Sequence, residues 1–302
     1  MKKIFLLNIL IILFNLFMVS PSYAEIKIKK ISGITYIENA TTKELEEVFK
    51  QHKYLRFRAL DNNEYPAIFL KTLPLDYSEI SSQKYRNELF IRILTPLALK
   101  INEEIENERN QLLLIEKSFN QNNTLTEQEL EKLEFLSKKY DYFTRSKDNN
   151  RIYLQLKNLK LRIERIPPSI LIAIAALESN WGFSRPTKLA NSLYKEKVWH
   201  TTEGLEPLED KDDNYRFKIF DSLIESMRSY ALTFNSNINY FVVWQTRYET
   251  MKRQKGLALG DNIAHSLSLA SNLPNYMGIL EYTIAFYDLF SIDIGHLKRE
   301  EL

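Results

Sequence analysis

The sequence predicts a mainly α protein (α+β), helical over most of its length, with one small β-lobe in its C-terminal half. Three observations lead there. Apolar residues recur at helical spacing through long segments. Ser/Thr-x-x-Glu start signals stand at Thr126–Glu129 and Ser222–Glu225. One stretch, 193–220, changes character to strand-like composition around a polar, acidic middle.

The elements follow in order. Residues 41–50 read as a short helix, with Thr42-Lys-Glu-Leu-Glu as its start signal. Phe69-Leu-Lys-Thr-Leu-Pro74 is a turn-bounded apolar patch in an otherwise mixed region, 25–80. Residues 83–119 are helical, with Pro96 expected to kink or break the helix. The charges at Lys100, Glu103, Glu104, Glu106, Glu108 and Arg109 read as a solvated face. The box at Thr126 opens a helix to about Tyr140. Polar connectors at 121–123 and 146–150 follow, the second being the expected boundary before a C-terminal unit. Residues 151–162 form a further helix, and Pro167-Pro168-Ser169 starts the next, because proline suits a first helical turn. Val198-Trp199 and 215–220 predict a hairpin with a long tip, and helices over 222–234, 240–252, 261–270 and 276–289 complete the chain. The organisation is a leader at 1–24, an N-terminal helical region at 25–148 and a second domain at 149–302.

The chain has 302 residues, 44% apolar and 26% charged, enough for a sizeable core in one or two domains. Lys2 and Lys3 precede an apolar stretch at 4–19, and Ser22-Tyr23-Ala24 offers small residues at a cleavage site, so the start reads as a secretory signal cut after Ala24. Export places the mature protein in the periplasm or cell envelope, with no membrane span of its own. There is no cysteine, which removes disulfides, thiol nucleophiles and thiolate metal sites. The four histidines show no ligand-type spacing, so no metal is expected. Basic residues number 41 and acidic 39, and loss of Lys2 and Lys3 leaves 39 against 39, a neutral balance that disfavours nucleic acid as a partner. Gly33 is followed by no glycine until Gly182, and no later spacing makes a phosphate loop, so no nucleotide cofactor is expected.

Chemistry concentrates at Glu178. It ends the apolar run 170–178, and helical spacing stacks it on Ile174, Leu171 and Ile170, a face expected to be buried. Burying a carboxylate as an anion is costly, which favours the protonated form that general-acid chemistry requires. Trp181-Gly182 follows, a flat ring of the kind that stacks on sugars beside a glycine that permits a tight exit. A carboxylic acid held among aliphatic and aromatic groups is suited to protonating a glycosidic oxygen.

These residues carry a resemblance. Pro167-Pro168-Ser169, Ala175-Ala-Leu-Glu178-Ser-x-Trp-Gly182 and Ser184-Arg185 look like the signature of the bacterial glucosaminidases of glycoside hydrolase family 73. Asn191-Ser-Leu-Tyr194, Phe217-x-x-Phe220-x-Ser222 through Ser226, Arg228 and Tyr230, the stretch 235–240, and Leu273-Pro-Asn-Tyr276 extend the likeness over about 150–290. Residues 70–109 are similar to the N-terminal part of Bax-like proteins. The resemblance implies a lysozyme-like helical domain with a small β-hairpin lobe, no cofactor, and hydrolysis of peptidoglycan glycan strands at the β-1,4 bond after N-acetylglucosamine. It carries the catalytic acid to Glu178 and a site-lining tyrosine to Tyr276. Trp181, Tyr194 and Trp199 are expected to line the substrate groove with Tyr276.

The chain departs from the family pattern at Asn180 and Lys195, where glycine is commoner, and at Leu269-Ala-Ser, where Tyr-Ser is expected. A second carboxylate is drawn from the β-lobe, where Glu203, Glu206, Glu209 and Asp210 stand. Glu203, beside Gly204, is the choice, and participation of the substrate's own N-acetyl group is the alternative. Two further readings stand beside the hydrolase: a lytic transglycosylase of the same fold, and a non-catalytic wall-binding or assembly protein. The N-terminal helices are a candidate docking site for an envelope protein partner.

Overall fold

A computed structural model describes residues 24–58, 61–142, 148–208, 214–253, 260–267 and 275–300. Leader residues 1–23, residues 146–147 of the connector and the Leu269-Ala-Ser motif lie outside them.

The N-terminal region opens with strands, not helices. β1 (Lys27–Ile31) and β2 (Ile34–Glu38) form an antiparallel hairpin, and β2 pairs in parallel with β4 (Ile68–Leu70). Its two-residue turn, Ser32-Gly33, has both residues at positive φ, as a tight hairpin requires. β3 (Glu64–Pro66) pairs in parallel with β7 (His296–Lys298), so the end of the chain returns to its start. The chain is mainly α, as the sequence predicts, but the reading of one small β-lobe is corrected here by two further small sheets. Three short, half-polar strand pairs rest on helices that supply the apolar cover no short strand can supply for itself. α1 (Thr42–Gln51) has a capping box between Thr41 and Glu44.

α2 (Gln83–Asn122) runs unbroken through Pro96. A proline there removes the donor for the Arg92 carbonyl. The buried Tyr54 hydroxyl replaces it, donating to that carbonyl at 3.2 Å. Its charged stripe ties elements together instead of facing solvent alone. Glu104 accepts twice from Arg228, Glu108 accepts from Lys139 and Tyr140, and Arg109 pairs with the buried Glu164 at 2.9 Å.

α3 (Glu127–Lys139) starts at the predicted Thr126–Glu129 capping box, and α4 (Asn149–Arg162) precedes the central helix α5 (Pro168–Glu178). Residues 170–173, 175 and 176 are wholly inaccessible. α2, α9 (Gly260–Leu267), α10 (Tyr276–Phe286) and the 3₁₀ turn Leu289–Ile292 surround α5. A helix that is apolar all round is stable only when buried all round. Each buried Ile or Leu contributes about 1.5–3 kcal/mol of transfer free energy. Between α5 and α9 come α6 (Arg185–Ala190), the predicted hairpin as β5 (Lys197–Trp199) and β6 (Tyr215–Phe217), α7 (Leu223–Ser236) and α8 (Phe241–Arg253). Ser222 caps α7 as predicted, but Glu225 turns to Arg228. The apolar core is continuous across the expected boundary at 148/149.

Polar groups fix both approaches to α5. The Asn102 side chain exchanges two hydrogen bonds with the backbone of Ile166, at 2.7 and 2.9 Å. Buried Arg247 donates to the Leu161 and Arg162 carbonyls at the end of α4. Asp293 accepts from the backbone N–H and hydroxyl of Ser169 and from the N–H of Gly260, capping α5 and α9 together. Burial pushes the Asp293 carboxyl up to about 6, against the opposing pull of these donors and of Arg165. The native state therefore holds a proton that the unfolded chain has released, and through this group stability falls as pH rises from about 4 to 6. Denaturant unfolding at stepped pH values should show that slope in the wild type and not in Asp293→Asn. Asp293→Ala should cost about 1–3 kcal/mol.

Candidate active site

α5 ends at the residue the chemistry needs. Glu178 is the last residue of the helix and is half-buried, while Ala175 and Ala176 just before it are fully buried. The expectation that Glu178 shares a buried face is corrected in this respect. α5 has no exposed face, and the carboxylate reaches the surface because the helix ends there.

The turn that follows is unusual. Asn180, Trp181 and Gly182 are three successive residues at positive φ, 49°, 54° and 82°. Such a conformation costs a bulky residue like tryptophan about 1–3 kcal/mol and persists only where its surroundings over-determine it. They do so here. The Trp181 N–H donates to the Ala176 carbonyl at 2.7 Å, and its own carbonyl accepts from the Tyr77 hydroxyl at 2.9 Å. Its indole packs against Phe90 and Tyr287, with ring centroids 6.0 and 4.9 Å away. Gly182 is required as glycine, since a Cβ would lie 2.7 Å from Leu73 and 2.9 Å from Tyr77. Ser179 Oγ accepts from the Gly182 N–H, and the Ser184 N–H returns to the Ser179 carbonyl, both at 2.8 Å.

Tyr276, the first residue of α10, is brought to Glu178. Burial first, then the nearby Glu178 charge and hydrogen bonding toward it, push the Tyr276 hydroxyl well above its ordinary range. Behind Tyr276 stand more tyrosines. Burial first, then neighbouring Tyr240, raises Tyr230 as well. Tyr194 stacks on Tyr230, with centroids 4.0 Å apart and planes 4° from parallel.

The other expected site residues fall in different places. Tyr194 is 6% exposed and its hydroxyl donates to the Leu171 carbonyl at 3.1 Å. It is a buried support, not a groove wall, because one ring face is covered by Tyr230 and its polar end is spent on α5. Trp181 is half-buried, its ring edge-on to Phe90 and tilted against Tyr287, so it supports the turn as well as standing beside the groove. Trp199 is 56% exposed on β5, tilted against Tyr215, and remains available to a ligand. Glu203 is exposed near the hairpin tip, its N–H donating to Thr201. Among the described residues no hydrogen bond or ion pair joins its carboxylate to Glu178. Glu206 lies 3.8 Å from Arg216, and Glu209 and Asp210 fall outside the described residues. Among the described residues no cluster of His, Asp or Glu is arranged for a metal. No helix among them is long and apolar enough to cross a membrane.

Sequence reasoning missed the half-buried carboxylate of Glu196 near the tyrosine stack. Glu196 accepts from Ser229 at 2.9 Å and is pushed up by burial, against Ser229 and Lys218. No spacing flags it, since its partners are more than twenty residues away.

With this geometry in place, the comparison with known families is decisive for class. Residues 155–283 match the glucosaminidase family, described as mannosyl-glycoprotein endo-β-N-acetylglucosaminidase. This chain carries a family 73 glucosaminidase domain. The protein is a glycoside hydrolase. Among solved structures, the catalytic domain of the autolysin Auto from Listeria monocytogenes is similar over 72% of this chain and 92% of its own length, at 18% identity and a TM-score of 0.35. No curated protein matches at the same stringency.

The glucosaminidase domain explains two of its own departures. Asn180 and Lys195 stand at φ 49° and 48°, where the family's commoner glycine carries no penalty. Asparagine tolerates this region and lysine does not. Lys195→Gly should raise unfolding stability by about 1 kcal/mol in denaturant titration. Tyr276→Phe should leave the far-ultraviolet circular dichroism unchanged and lower glycan hydrolysis by about ten- to a hundredfold, as expected when a positioned hydrogen bond to a catalytic group is lost.

Proposed function

We propose that the protein is an exported peptidoglycan hydrolase that cleaves the β-1,4 bond after N-acetylglucosamine, with Glu178 as general acid. One observation carries this reading. A carboxyl group stands at the end of a helix otherwise apolar and buried, with the Tyr276 hydroxyl close enough for its charge to act on it. The rigid helix and the over-determined turn hold the acid, so little ordering remains to be done when substrate arrives.

In the first step the Glu178 proton moves to the glycosidic oxygen as the C1–O bond breaks. The substrate's acetamido carbonyl oxygen bonds to C1 from the opposite face. Water then adds at C1, its proton returns to the Glu178 carboxylate, and the acetamido group is released. The substrate's acetamido group is the nucleophile in this step, and exposed Glu203 on the β-lobe is the alternative second carboxylate. Tyr276 orients the carboxyl and, by donating to it after proton transfer, stabilises the anion. Trp199 offers an exposed ring for sugar stacking at the β-lobe. Export follows from the leader at 1–24 and places the enzyme in the periplasm or cell envelope, where its polymer is.

Glu178→Gln should abolish release of soluble fragments from purified sacculi while the unfolding midpoint stays within a few degrees of wild type. Mass spectrometry of wild-type products should show reducing N-acetylglucosamine ends. Anhydro-muramyl ends, lighter by one water, would instead assign a transglycosylase, and full activity in Glu178→Gln would remove the residue from the mechanism.

A further inference from the structure

The loop that leaves Glu178 carries a second feature, at Phe183. The Arg86 guanidinium lies 4.0 Å from the centroid of its ring and the Lys188 ammonium 4.5 Å from the same centroid. Two cations on one ring repel each other, and a phenyl face returns only about 0.5–1 kcal/mol to each at a partly exposed site. Neither has an ion-pair partner among the described residues. Arg86 donates through Nη1 to the Ile80 carbonyl at 3.4 Å, and its Nε is buried without a partner.

The contrast with other basic groups on and around α2 is informative. Arg92 is paired with Glu46, Arg109 with Glu164, Lys139 with Glu108 and Lys160 with Glu116. Unlike these four, Arg86 and Lys188 stand together on one ring beside the turn after Glu178, with no ion pair to either among the described residues. The position is close to the chemistry in the fold as well as in the chain. The Phe183 N–H donates to the Asn180 carbonyl at 3.0 Å, and the Ser184 N–H returns to Ser179, the residue after Glu178.

We infer that Arg86 and Lys188, held over Phe183, form a carboxylate subsite for the stem peptide of peptidoglycan. This rests on the peptidoglycan-hydrolase reading above. The stem hangs from the lactyl group of the muramic acid next to the scissile bond and carries free carboxylates. Arg86 presents the exposed part of its guanidinium and Lys188 its ammonium. An anion bound by both relieves their repulsion. The enzyme would thereby favour glycan that bears peptide over bare glycan.

The test compares the wild type with Arg86→Gln/Lys188→Gln on two substrates, intact sacculi and glycan strands stripped of peptide by an amidase. The wild type should show the higher kcat/KM on peptide-bearing strands. The double variant should lose about tenfold there, mainly through KM, the size expected for one charge-assisted contact, and should match wild type on stripped strands. Lys188→Glu, a change at an exposed position that leaves the core intact, should lower activity on sacculi at least as far and again spare stripped strands. Equal losses on both substrates, or none on either, would overturn the proposal. If the wild type cleaves neither, the hydrolase reading itself falls and takes this inference with it.

Discussion

Complete burial of one apolar helix is the constraint on which the rest of the architecture depends. α5 has no polar face to turn to water, so every neighbour is recruited to enclose it: the long α2 from the N-terminal region, α9 and α10 from the C-terminal one, and the turn at Leu289–Ile292. The N-terminal region is therefore part of the wall around the catalytic helix. Enclosure also sets where a carboxylate can emerge: Glu178, at the open end of α5, combines a fixed backbone with partial exposure.

An enclosed helix must still satisfy its ends, and the polar ties are concentrated there. Asn102 mimics a strand neighbour for Ile166, Asp293 caps two helices at once, and Arg109 and Arg247 take the carbonyls around the end of α4. At the other end the Trp181 turn works against backbone preference and is held by packing and by Tyr77. The tyrosine stack from Tyr194 to Tyr276 completes the frame. Strain at the turn and order at the acid are two aspects of one arrangement.

Most helices were legible because their signals are local. Capping at Thr126, proline at the start of α5 and the period of α2 all act within a few residues. Pro96 misled because its remedy, Tyr54, is forty-two residues away, and propensity cannot register a distant hydroxyl. The strands of the N-terminal region were missed because three-residue pairs such as β3 and β7 have no alternation to read. At the site, motif alone pointed to Glu178 and Tyr276, which the fold brings close together. Tyr194 was misplaced because an aromatic that stacks on sugar and one that stacks on protein look alike in sequence. Glu196 and Asp293 gave no signal, since a carboxylate of this kind is defined by partners folded around it.

The parallel pairing of β3 with β7 has a consequence for biogenesis. Residues 64–66 find their strand partner only at 296–298, and the Gly33 carbonyl accepts from the N–H of Glu300. These are among the longest sequence separations the chain contains, and such contacts form late because loop closure must precede them. A chain made from its N-terminus onward cannot form them until residues 296–300 have emerged. Until then β3 lacks its partner, and the N-terminal strands wait on the most distant part of the sequence to complete their pairing.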